Sequence, residues 1–274
     1  MASPSSDEEA ELESSKAPLL EHLIELRNRI VRSVIAFLVC FIFCFAFSKP
    51  IFAFLTRPIS DALAGQANRQ MIFTALYEQF FTYVRIGMFG ALCLAFPYMA
   101  LQLWLFIAPG LYKHERKAFW PFLLATPVMF VTGAAFVYYL MLPRVIQFFV
   151  GEEIPAGPGQ IAVQLAPRVG EYLTFVMTLI FAFGLCFELP VLLVLLGRVG
   201  IVSSKALSSA RRYAIVGIVA LAAVVTPPDV FSQLSLSIPM IGLYEVSILC
   251  VKLIERQRAK AEAAAAGPGD IQPT

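Results

Sequence analysis

Six long apolar runs divide this chain and leave little room for any other architecture. They lie at about Val31–Phe47, Phe80–Ile107, Ala118–Leu142, Tyr172–Leu196, Tyr213–Thr226 and Leu234–Ile254. About 20 consecutive apolar residues are enough for a helix to cross the roughly 30 Å of hydrocarbon in a bilayer. Apolar residues make up 59% of the 274-residue chain and charged residues 15%, against roughly 45–50% and 25% in soluble domains. The expectation is an all-α polytopic membrane protein with six transmembrane helices.

The runs differ in detail. The second exceeds the bilayer requirement, which predicts a tilt or a kink at Pro97. The third carries Pro121 and Pro127 early, and the sixth carries Pro239. The fourth is interrupted by Glu188 and Pro190, where a proline removes a backbone donor and bends the helix. The fifth, Tyr213–Thr226, has 14 residues, roughly 21 Å of helix. Pro227 and Pro228 stop it, predicting a stubby hairpin with the sixth run that thins the bilayer locally.

Six spans place both ends on one side of the membrane. With the N-terminus inside, 15 of the 21 Lys and Arg residues fall on the cytoplasmic side, so the positive-inside rule puts both termini in the cytoplasm. Residues 1–17 read as a disordered acidic tail, 18–254 as the membrane domain and 255–274 as a flexible cytoplasmic tail. The N-terminus is acidic and has no small-residue cleavage site, so it is not a cleavable signal. In residues 18–32, Leu19, Leu20, Leu23, Leu26 and Ile30 recur at helical spacing among Glu21, Glu25, Arg29 and Arg32. That pattern predicts an amphipathic helix at the membrane surface, leading into the first span.

Several chemistries are excluded. The net charge of +2 is too small for a nucleic-acid footprint. The five cysteines lie in apolar runs without a CxxC pair, and read as buried hydrophobes. His22 and His114 have no metal-ligand spacing. No nucleophile elbow or phosphate-binding glycine loop is present, so neither an enzyme nor a cofactor is expected.

Polar groups inside or beside the spans are the candidates for function. Glu188 sits in the middle of the fourth run, where a carboxylate costs about 2.5–3.5 kcal/mol on insertion scales. It reads either as an internally bonded acid or as a polar contact for a partner. Glu245 is nearer the cytoplasmic end and reads as a weaker candidate that snorkels. The loop after the second run holds Glu115 among Lys113, His114, Arg116 and Lys117. Glu25 stands beside Arg27 and Arg29 in the N-terminal segment. Two isolated acids on a basic rim suit a dication.

The strings His22–Arg29 (HLIELRNR), Leu103–Lys117 (LWLFIAPGLYKHERK), Phe183–Val191 (FGLCFELPV) and Thr226–Gln233 (TPPDVFSQ) resemble TatC, the multi-span subunit of the twin-arginine protein translocase. The resemblance covers about residues 18–254. It implies a receptor and scaffold that binds Arg-Arg signal peptides of folded precursors and assembles with single-span TatA- and TatB-type partners. It further implies several copies per complex, export driven by the proton-motive force, and a place in the inner membrane. Carried onto this chain, Glu25, Glu115, Phe106, Arg27, His114 and Arg116 form the signal-peptide site, and Glu188, Thr226 and Gln233 the partner surface. Pro58, Pro109, Pro227 and Pro228 are structural. The stretch Phe73–Phe81 lacks a proline that the family often carries there, while keeping Glu78 and Phe80. The other reading of the spans is a secondary transporter or channel subunit for a small solute, though no internal repeat supports it.

Overall fold

A computed structural model describes residues 6–63, 70–107, 116–154, 165–226 and 229–265, with side chains described for 22–63, 70–106, 122–154, 165–226 and 229–260. Among the described residues the helices are α1 (Ser6–Ala46), α2 (Ser48–Ala62), α3 (Glu78–Ile107), α4 (Arg116–Phe136), α5 (Leu142–Gly151), α6 (Val169–Cys186), α7 (Glu188–Val199), α8 (Ser204–Val225) and α9 (Val230–Ala265). A π-helical turn, Val137–Met141, joins α4 to α5.

Six helical stretches are long and apolar enough to cross a membrane: His22–Ala46, Glu78–Phe106, Phe122–Gly151, Val169–Val199, Ser204–Val225 and Val230–Lys260. The all-helical, six-span expectation therefore holds. In the fourth stretch 50% of the most apolar window is buried, against 6% in the first and 11% in the fifth. The fourth is thus the central post of the bundle, and the first and fifth present most of their apolar surface outward. The core gathers Leu55, Ile86, Val137, Leu142, Val176, Phe183, Leu236 and Met240.

The helices meet closely where glycine allows it. A Cβ at Gly133 of α4 would lie 2.6 Å from the Phe183 carbonyl oxygen, and one at Gly184 of α6 would lie 2.5 Å from Phe130 Cε2. Without hydrophobic drive between helices in lipid, such small-residue contacts let backbones approach and dispersion act.

The amphipathic N-terminal segment and the first span form one unbroken helix, α1, rather than a separate surface helix. Pro97 and Pro239 lie inside the continuous helices α3 and α9. The fourth span is broken where Glu188 and Pro190 interrupt its apolar run: Phe187 (φ −69°, ψ −14°) separates α6 from α7.

The expected stubby fifth helix is corrected. Helix α8 has 22 residues, roughly 33 Å. It starts upstream of the apolar run because the Ser203 hydroxyl caps it, accepting from the Ala206 N–H at 3.1 Å. Arg211 and Arg212 therefore ride inside a helix that hydropathy alone places outside the span.

At the end of the bundle opposite the termini, α2 packs Leu55, Pro58 and Ile59 into the core. The Tyr138 and Tyr172 hydroxyls donate to the Phe54 and Leu55 carbonyls at 2.8 and 3.1 Å. An isolated parallel bridge, Ile72 with Arg168, ties the segments before α3 and α6.

Candidate functional site

Helical periodicity puts His22, Glu25 and Arg29 of α1 on one face. There α1 lies against α3, which contributes Gln102 and Phe106. Arg29 Nε and Nη2 both donate to Glu25 Oε1, at 3.0 and 2.5 Å. Its Nη1 donates to Gln102 Oε1 at 3.3 Å. The Arg29 side chain is 17% exposed and that of Glu25 33%. The carboxylate is therefore accessible while its internal counter-ion is largely covered. Glu25 Oε2 lies 3.8 Å from His22 Nδ1. The His22 ring stacks on Phe106, with centroids 4.3 Å apart and planes 14° from parallel.

This arrangement holds a guanidinium against a carboxylate beside a flat aromatic wall, a geometry suited to cationic planar groups. Of the residues singled out in the sequence, it joins Glu25 and Phe106. Arg27 points elsewhere: its Nε and Nη2 donate to Asn28 Oδ1 at 3.4 and 3.2 Å on the exposed side. Pro109, His114 and Glu115 lie outside the described residues, as does the Arg116 side chain. Gln102 escaped the sequence reading, because a glutamine within an apolar run carries no motif. Arg29 was visible only as one of several bases.

Glu188 occupies a second place, at the break between α6 and α7 and against α4. Its Oε1 is buried and has no hydrogen-bond partner, while Thr126 of α4 is a side-chain neighbour of the carboxyl. Thr226 and Gln233 lie apart from it in sequence and element, at the turn between α8 and α9. The Thr226 hydroxyl donates to the Ala222 carbonyl at 2.9 Å, and Gln233 Nε2 to the Val219 carbonyl at 3.3 Å. Pro58 is buried within α2; Pro227 and Pro228 lie outside the described residues.

Glu245 does not snorkel alone. It pairs with Arg211 of α8, with N–O distances of 2.7 and 2.9 Å. Glu255 of α9 accepts from the Ser204 N–H at 2.8 Å and from the Ser204 hydroxyl, fastening the start of α8. Among the described residues no group of three or more His, Cys, Asp or Glu stands together to hold a metal ion.

The family model "Sec-independent protein translocase protein (TatC)" matches residues 21–239. The chain is 48% identical over 249 residues to the Sec-independent protein translocase protein TatC of Magnetococcus marinus, covering 91% of this chain and 89% of that one. To the TatC of Escherichia coli K12 it is 38% identical over 231 residues, covering 84% and 86%. A crystal structure of a twin-arginine translocase receptor, TatC, superimposes with a TM-score of 0.75 at 35% identity, covering 85% of this chain and 99% of that one.

Proposed function

The chain belongs to the TatC family of Sec-independent protein translocase proteins, and on that premise we propose that Glu25 receives an arginine from the Arg-Arg pair of a precursor's signal peptide. The protein is a multi-pass inner-membrane subunit of the twin-arginine translocase and not an enzyme. Family membership gives no support to the small-solute transporter reading.

One observation carries the proposal. Glu25 already engages a guanidinium through two nitrogens on a single oxygen, while its second oxygen faces His22 Nδ1 at 3.8 Å and the side chain stays 33% exposed. Charge-assisted bonds of this kind are worth about 1.5–3 kcal/mol each. The resemblance also assigns Glu115 as a second carboxylate, with His114 and Arg116 of the same loop, to the site of Glu25 and Phe106; Arg27, bonded to Asn28, stays outside it. The termini, and with them this site, face the cytoplasm, as the excess of Lys and Arg on that side requires.

Glu188, with the turn of Thr226 and Gln233, offers polar contacts to single-span TatA- and TatB-type partners. Glu188 is only partly buried, and a carboxyl within a span gains from a donor on an incoming helix, since lipid supplies none. Several copies of the chain assemble in one complex, and the proton-motive force drives passage of folded cargo.

The test is binding of a labelled Arg-Arg signal peptide to the purified full chain in nanodiscs. Glu25→Gln and Glu115→Gln are each expected to weaken it by roughly tenfold or more. Unchanged affinity in both overturns the assignment. Glu188→Ala is expected to spare peptide binding and to reduce co-purification of the single-span partners.

A further inference from the structure

We infer that Arg29 is an internal competitor for the Glu25 carboxylate, and that this competition sets the site's preference for arginine over lysine. The inference rests on the proposal that Glu25 receives an arginine of the ligand.

The geometry defines the competition. Arg29 converges two nitrogens on Glu25 Oε1 and anchors a third on Gln102 of the neighbouring helix. Its side chain is only 17% exposed, so little rotamer freedom remains to be lost in holding this pose. The carboxylate therefore meets any ligand already neutralised. A fork-to-fork contact needs both carboxylate oxygens, and one of them is taken.

A cation arriving at Oε2 also meets the positive charge of Arg29. An ammonium is a compact, strongly hydrated point charge. It offers Glu25 no planar fork in exchange for the bonds that Arg29 would give up. A guanidinium replaces like with like, and the displaced Arg29 keeps its bond to Gln102. One incoming arginine thus exchanges contacts with little net gain, and a second arginine has to supply the affinity. Lysine is rejected, and single cationic side chains do not accumulate on the carboxylate.

Two basic side chains reach Glu25 among the described contacts: Arg29, with two nitrogens on Oε1, and His22, with Nδ1 at 3.8 Å from Oε2, while Arg27 bonds to Asn28. The facing element, α3, contributes the neutral Gln102 and Phe106. His22 touches the carboxylate through one nitrogen at 3.8 Å and makes no two-nitrogen contact like that of Arg29.

The experiment uses the full chain in nanodiscs and two labelled signal peptides that differ only in an Arg-Arg or Lys-Lys pair, read by fluorescence anisotropy. In Arg29→Gln the discrimination between them is expected to shrink by about tenfold, chiefly through tighter binding of the Lys-Lys peptide. Gln102→Leu loosens Arg29 without touching Glu25, and is expected to move the ratio the same way by less. On a Glu25→Gln background the Arg29→Gln effect is expected to vanish. If Glu25→Gln weakens binding but Arg29→Gln leaves the ratio unchanged, or weakens both peptides equally, the competition does not exist. A flat response to Glu25→Gln overturns both this inference and the reading beneath it.

Discussion

The Tyr138 hydroxyl donates at 2.8 Å to the Phe54 carbonyl, the oxygen that Pro58, four residues later, leaves without a helical donor. A tyrosine from the π-helical turn thus completes a bond that α2 cannot make for itself, and the Tyr138 ring stacks on Phe54 at 4.2 Å. Tyr138→Phe keeps the ring and removes the donor. It is expected to lower stability by about 1 kcal/mol in thermal unfolding of the solubilised chain. In a Pro58→Ala background, where the N–H is restored, the same substitution is expected to cost less. A double-mutant cycle without coupling would show the bond to be incidental.

Glu78, at the start of α3, holds two loops together. Its carboxylate accepts from the Thr74 N–H at 2.7 Å and the Ala75 N–H at 3.3 Å, and across the fold from the Gly170 N–H at 3.3 Å. This carboxylate organises the stretch where the family's usual proline is absent. Glu78→Ala is expected to speed hydrogen exchange at the Thr74, Ala75 and Gly170 amides while leaving those inside α4 protected. Equal protection in both proteins would remove the latch.

The contact between α4 and α6 leaves no space for a methyl group. Gly133→Ala meets a backbone oxygen at 2.6 Å, which has no rotamer to give. Overpacking of this kind costs about 1–3 kcal/mol. Gly217→Ala, which meets nothing within 4 Å, is the control. It is expected to be neutral or slightly stabilising through helix propensity. Reversal of that order in thermal unfolding would mean the two helices pack differently.

Glu188 has a buried oxygen without a donor. Glu188→Leu removes the unsatisfied group and is expected to stabilise the isolated chain, by about 1–3 kcal/mol. The same substitution is expected to reduce co-purification of single-span partners. A destabilised chain would show that the carboxyl is satisfied internally, with Thr126 as its main support.

Much of this architecture is legible in the sequence. Apolar runs located six spans because crossing hydrocarbon imposes a length and a composition that few other constraints imitate. The break near Glu188 and Pro190 was legible because proline acts locally. The start of α8 was not. Its first turns carry Lys205, Arg211 and Arg212, and helix there depends on the Ser203 cap and on Glu255 reaching over from α9. The π-helical turn also carries no sequence mark.

The sequence by itself determined the number of spans, which acids stand beside them in the chain and the family resemblance, since each is set by residue type at short range. The tertiary structure alone decided which groups meet. It placed Gln102 beside Arg29 across 73 residues, laid Phe106 on His22, turned Arg27 away, and left Glu188 with a buried oxygen lacking a donor. Side-chain partnership across helices depends on rotation and depth, and apolar periodicity constrains those weakly when every face of a span is greasy.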